Sequence, residues 1–320
     1  MPTRGLPDFV ESLGNGVFSI DTDFQRPLFD AAYLIVDQGE VAFIDTGTGL
    51  AVPRLLAALQ ALDLEPEQVR WIIPTHVHLD HAGGVGPLLA HTPNAQVLVH
   101  PRGARHLIDP SALFKSATAV YGADEMALSY GDLVAVPADR VICSHDGQTV
   151  SLGSRQFLLI DTPGHALHHH CIWDPVSQGW FTGDSFGLCY RELNVGSRPW
   201  ALPTTTPVQF DPTTLRQTYQ RLLAFQPQCV YLTHFGKRSE VAALGQSLLR
   251  LLDDVEALGL RLRQAPERHK ALREGLTQLY LDSLKDAGSP LEAPEIMRIL
   301  ALDVELNAQG MACWLDRIGR

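Results

Sequence analysis

Residues 74–84 read PTHVHLDHAGG, and within them His76, His78, Asp80 and His81 crowd four metal-binding side chains together. In an extended segment, residues two apart project to the same side, so the imidazoles of His76 and His78 can reach one cation. Asp80 and His81 follow as the chain turns. Joining the same cation would crowd its shell, but a second cation close by is within their reach, the arrangement that two-metal hydrolytic sites require. Small Ala82, Gly83 and Gly84 then let the backbone turn tightly into a helix.

The flanking sequence places this cluster. VRWIIPTH (69–76) reads as a strand that ends where the cluster begins, so the histidines sit on a strand-to-helix loop at a sheet's carboxyl edge. Such loops are held by the sheet while their side chains stay available. Upstream, VFSI (17–20), AAYLIVD (31–37) and VAFIDTG (41–47) are β-prone, and QGE (38–40) between the last two is a hairpin signal. Leu55, Leu56, Leu59 and Leu62 recur at helical spacing, and a helical insertion is expected over 101–130. Downstream, QFLLIDTPGH (156–165), HCIWD (170–174), GWFTGD (179–184) and CVYLTHFG (229–236) share one form: an apolar run, then a polar residue able to bind metal. RPWALPTTTP (198–207) is a proline-stiffened loop suited to a pocket wall. Val241, Leu244, Leu248, Leu251, Val255 and Leu258 form one face of a helix that Gly259 is expected to terminate. Two further helices are expected at 266–285 and 294–317.

Composition bounds the function. The 320 residues, 45% hydrophobic and 8% aromatic, suit an ordinary globular protein with one large core. The net charge is -11, from 25 Lys+Arg against 36 Asp+Glu, with no basic run that could follow a phosphate backbone, so nucleic acid is excluded as a partner. The opening MPTRGLPDFVESLGNG has no apolar h-region, and no apolar run approaches the ~18 residues a membrane span needs. A cytoplasmic protein with no membrane attachment is expected. Five scattered cysteines without a CxxC pair read as reduced, mostly packed thiols.

Four segments in order, THVHLDHAGG (75–84), TPGHALHH (162–169), FTGDSFG (181–187) and LTHFG (232–236), resemble the signature motifs of the metallo-β-lactamase-fold superfamily. The resemblance covers roughly residues 15–240. It implies an α/β fold, a four-layer αβ/βα sandwich over 1–237, with a C-terminal helical extension over 238–320 packing on it. It also implies two divalent metal ions, zinc first, with iron or manganese equally suited to imidazole and carboxylate. His76, His78 and His165 would hold one, Asp80, His81 and His234 the other, with Asp184 and a hydroxide between them. Asp45, in FIDTG, resembles the family's acid that accepts a hydrogen bond from a ligating imidazole; a plain strand-end turn residue is the equal alternative. His168, His169 and His170 need no catalytic role.

Departures narrow the branch. True β-lactamases of the family place a cysteine, or no bridging acid, where Asp184 stands, and flavodiiron proteins show a glutamate at the position of His78. Neither the RNA-gripping arm of the family's nucleases nor the basic glutathione motif of glyoxalase II is found. What remains resembles the glyoxalase II, lactonase and small-phosphodiesterase branch. The implied activity is hydrolysis of an ester, thioester, lactone or phosphodiester bond of a small-molecule substrate by a metal-bridging hydroxide. Asp80 would orient the hydroxide and pass a proton to the leaving group. Tyr190 and Arg191, close after Asp184, are candidates to touch substrate, although such a pair is as often a surface feature. Two alternatives stand beside this reading: a mononuclear-iron oxygenase of the persulfide dioxygenase kind, and a metal-bound protein acting by partner binding. The apolar faces of the C-terminal helices must be buried against the domain, a second copy or a partner, so capping of the site's mouth and a homodimer surface are expected of them.

Overall fold

The computed structural model describes residues 5–205 and 208–319. Pro207, in the proline-stiffened loop, lies outside the described residues, as do residues 1–4. Contacts divide the chain into two compact units: one holds the residues through Asp161 with His168–Gly183 and Cys229–Lys237, the other Thr162–Leu167, Asp184–Gln228 and the chain from Arg238.

The first unit contains two mixed β-sheets. Strands β1 (Val10–Gly14), β2 (Val17–Asp21), β3 (Ala31–Asp37), β4 (Glu40–Ile44), β5 (Val69–Ile73), β6 (Gln96–Val99) and β7 (Val141–Cys143) form one sheet in sequence order, antiparallel through β4 and parallel from there. The second sheet has the order β13 (Gly236–Arg238), β12 (Cys229–Leu232), β11 (Gly179–Gly183), β10 (His170–Asp174), β9 (Arg155–Asp161), β8 (Gln148–Leu152), and there only β11 and β12 pair in parallel among the printed registers. The expected strands are present; β1, β6, β7, β8 and β13 are additions that the sequence pattern does not predict.

Strand alternation explains why β3 is apolar from Ala31 to Val36. Ala31, Tyr33 and Ile35 point into the core between the two sheets, meeting Phe157, Leu159, Phe181 and Tyr231 from the second sheet. Ala32 and Leu34 point the other way, into a layer with Leu55 and Leu59 of α1 (Val52–Ala61) and Val85 and Leu88, which lie beyond α2 (Leu79–Ala82) in α3 (Val85–Leu89). A strand buried on both faces has no polar side to show. Each large side chain in these layers contributes about 1.5–3 kcal/mol. Trp71 Nε1 donates to Ser151 O at 2.8 Å, a polar tie from the first sheet to the second. The insertion forms α4 (Pro101–Ile108), α5 (Ser111–Tyr121), α6 (Ala123–Glu125) and a wide helical turn at Met126–Tyr130.

The second unit is helical, with α7 (Pro212–Ala224), α8 (Val241–Leu262), α9 (Arg268–Asp286) and α10 (Ala293–Ile318). Among the described residues no helix is long and apolar enough to cross a membrane. Gly259 does not end α8 as the sequence suggested; the helix continues to Leu262. A Cβ at 259 would stand 2.9 Å from Trp314 Cζ3 and 3.1 Å from Met311 Cε, so this glycine lets α8 and α10 approach closely. Periodicity could not separate that role from a cap, because both place glycine beside an apolar residue. Gly259→Val should therefore destabilise the protein by about 1–3 kcal/mol through overpacking, read from denaturant midpoints. An unchanged midpoint would show that the α8–α10 contact is loose.

Candidate metal centre

Asp45 follows β4 directly, in the left-handed region at φ 55, which Asp tolerates better than most residues. Its carboxylate is fully buried and accepts from several donors. Thr75 donates through its backbone N at 2.7 Å and its hydroxyl at 3.0 Å, and Thr233 donates its hydroxyl at 2.7 Å. His81 Nδ1 stands 2.8 Å from Oδ2. A carboxylate here can only accept, so Nδ1 of His81 carries the hydrogen and its Nε2 offers a lone pair. His234 is set the same way: its Nδ1 lies 2.8 Å from the carbonyl of Phe29, which leaves Nε2 as the donor atom to a cation.

Both Nε2 atoms face one carboxylate. Asp80 Oδ2 lies 3.8 Å from His81 Nε2 and 3.4 Å from His234 Nε2. Two ligands at about 2.1 Å from one tetrahedral cation stand about 3.4 Å apart, so these separations suit a shared ion better than a hydrogen bond. Asp80, His81 and His234 present ligand atoms that all lie within 4.8 Å of one another. The donor set, imidazole with carboxylate, fits zinc, iron and manganese alike.

His76 Nε2 and His78 Nδ1 approach to 2.7 Å, a hydrogen-bond distance, and their rings lie 4.3 Å apart. In the second unit, His165 Nε2 and Asp184 Oδ2 stand 3.4 Å apart, both residues buried. The His165 segment is braced by α7, a helix not foreseen from the sequence, and is tied to the Asp184 segment by Ser185. Thr218 donates to Pro163 O at 2.6 Å, Asp211 N donates to Gly164 O at 2.9 Å, and Ser185 donates to Thr162 O at 2.9 Å.

The remaining histidines divide by role. His170 places Nε2 3.0 Å from Pro74 O and Nδ1 2.8 Å from the Ser144 hydroxyl, so Nε2 carries the hydrogen and the ring braces the loop just before His76. Burial, with His100 adding repulsion, pulls its pKa from 6.5 down to about 3. Burial, then His78, does the same to His168. Asp30, which ends the turn before β3, was not singled out from the sequence; burial raises its pKa to about 7 against the pull of His234 and His81. A signal for the Asp45 partners did exist: Thr precedes the candidate histidine in both Thr75-His76 and Thr233-His234. Tyr190 is buried and donates its hydroxyl to Asp303 at 3.0 Å, while Arg191 is half-buried and opens a short helical turn to Leu193.

Asp45→Asn sets an NH2 group among donors, so it should cost more than about 2 kcal/mol of stability and weaken metal retention at His81. Wild-type stability and metal content in that variant would show that the carboxylate is not needed. A second outcome concerns pH. A histidine held neutral by the fold stabilises it above its unfolded pKa, and that contribution is lost as pH falls from 6.5 towards 3. One such proton is worth about 1.4 kcal/mol per pH unit, so His170→Gln should flatten the acid limb of stability by about that slope in chemical denaturation. Parallel wild-type and variant curves would place His170 outside the acid response.

Residues 26–234 match the family model of the metallo-beta-lactamase superfamily. Over 240 residues, 74% of this chain and 80% of the relative, the sequence is 30% identical to the metallo-beta-lactamase fold-containing protein ST1585 of Sulfurisphaera tokodaii. The crystal structure of ST1585 shares the fold, with a TM-score of 0.64 at 24% identity, covering 93% of this chain and 98% of that one. The chain is also 32% identical to type A flavoprotein fprA of Rhodobacter capsulatus, over 50% of this chain and 32% of the flavoprotein. It is 26% identical to the human acyl-coenzyme A thioesterase MBLAC2, over 54% of this chain and 64% of that protein. The match of four motifs, two packed sheets and a His/Asp group set to hold metal has one reading: the chain belongs to the metallo-beta-lactamase superfamily.

Proposed function

We propose that this protein is a dinuclear metal-dependent hydrolase acting on an ester-type bond of a small molecule, with thioesters the first class to try. The observation that carries the reading is the Asp80–His81–His234 group, in which two imidazoles locked as Nε2 donors face one carboxylate at ligand-to-ligand distances. By the order of the family's motifs, the residues that would hold two cations are His76, His78 and His165 for one and Asp80, His81 and His234 for the other, with Asp184 available to either. The thioesterase relative supports the choice of bond.

When bound, the cations would supply Lewis acidity and lower the pKa of a water from about 15.7 toward about 7. The residues supply the rest. His81 and His234 keep their lone pairs directed because their Nδ1–H groups are tied to Asp45 and to the Phe29 carbonyl. Within its group Asp80 alone keeps notable exposure, 25% of its side chain against 0% for His81 and 4% for His234. It is therefore placed to accept a proton from water on the open side and return it to a leaving group. No serine or cysteine nucleophile is called for.

Metal analysis and a hydrolysis screen over esters, thioesters, lactones and phosphodiesters on one sample test this reading. Two metals per chain are expected, falling to one in Asp184→Ala, and His78→Ala should abolish turnover while the fold persists. One metal in both wild type and Asp184→Ala would reject the dinuclear centre. Oxygen uptake is the control, because the same imidazole and carboxylate donors suit iron: uptake without hydrolysis in the iron-loaded protein would replace hydrolysis with oxygen chemistry.

A further inference from the structure

The C-terminal helix α10 carries two buried polar side chains one turn apart, Asp303 at 8% exposure and Asn307 at 5%. They interrupt an otherwise apolar face made of Leu300, Val304, Ala308 and Met311. Burying an amide or carboxylate there is costly unless each is hydrogen-bonded, so their partners reveal what the exception serves. Asn307 Oδ1 accepts from Thr205 N at 2.8 Å, and its backbone carbonyl accepts from the Thr205 hydroxyl at 2.7 Å. Its Nδ2 donates to Pro203 O at 3.2 Å and to the Tyr280 hydroxyl at 2.8 Å. Asn307 thus fixes the backbone at 203–205. Thr204, in the middle of that stretch, donates its hydroxyl to the backbone carbonyl of Asp184 at 3.1 Å. Leu188 and Leu202 close the same segment with a reciprocal pair of backbone hydrogen bonds at 3.0 Å, and Asp303 holds its outer turn through Tyr190.

We propose that Asn307 is a positioning residue for Asp184, acting through Thr204, so that the C-terminal helix sets where this carboxylate stands. The proposal rests on Asp184 being a metal ligand, as assigned above. It explains why a helix without any metal motif carries a buried Asn in its core face. The Thr204 hydroxyl holds the main chain of Asp184, so its removal acts on the carboxylate through the backbone that carries it, and partners behind a ligand typically change metal affinity by about 10–100-fold.

The test is a zinc titration of the full chain against a competing chelator, with melting followed in parallel. Asn307→Ala and Thr204→Val are expected to weaken the weaker of two zinc sites by about tenfold or more while the tighter site holds, and Thr204→Ser to restore it. A lower melting temperature with unchanged zinc affinity would reduce Asn307 to a packing role and overturn the proposal. Should Asn307→Ala fail to fold, the Thr204→Val and Thr204→Ser pair decides alone, because it changes one hydroxyl. Asp184→Ala separates the two readings. If it keeps both zinc sites, the ligand assignment fails; if it loses one while Asn307→Ala and Thr204→Val keep both, only the relay fails.

Discussion

The carboxylate of Asp45 is the constraint on which the rest of the centre depends. Taking a charge out of water costs several kcal/mol, which is recovered only when good donors surround it. Asp45 gathers them from two distant parts of the chain: Thr75 and His81, on the loop and short helix α2 that follow β5, and Thr233 after β12. Those parts come from both sheets. One buried group therefore fixes the edge of the sandwich and the tautomer of a ligand together, and neither can relax without leaving donors unsatisfied.

The histidines repeat that logic on a smaller scale. A neutral imidazole has one donor and one acceptor nitrogen, and the partner of one decides what the other can do. Where the partner is a carboxylate or carbonyl facing Nδ1, as for His81 and His234, Nε2 is left to bind a cation. His170 has both nitrogens engaged, by Pro74 and Ser144, and becomes a brace. Histidines that look alike in the sequence thus take different roles through their neighbours, and local sequence does not contain those neighbours.

In the helical unit the same contrast separates packing from placement. Gly259 serves the close approach of α8 and α10, and the apolar residues around it serve burial. Asp303 and Asn307 lie on a face that burial alone would have made aliphatic, and they hold the segment that follows Asp184. The His165 segment is held by donors and acceptors in and just before α7.

The sequence by itself determined what depends on short spacing. The β-prone runs AAYLIVD and VAFIDTG marked strands, and the HxHxDH pattern marked a loop with side chains set for cations, because strand and turn geometry act over a few residues. Family order of four motifs carried the fold and nominated the candidate ligands. Only the tertiary structure decided the partners. Asp45 meets Thr233 and His234 meets Phe29 across most of the chain, and Asn307 reaches from α10 to the loop at Thr205. Hydrogen bonds of this kind depend on where the backbone has been carried by packing, so no local pattern encodes them. The same holds for Gly259, whose neighbours Met311 and Trp314 arrive from α10 and turn a residue that reads as a helix end into a helix crossing.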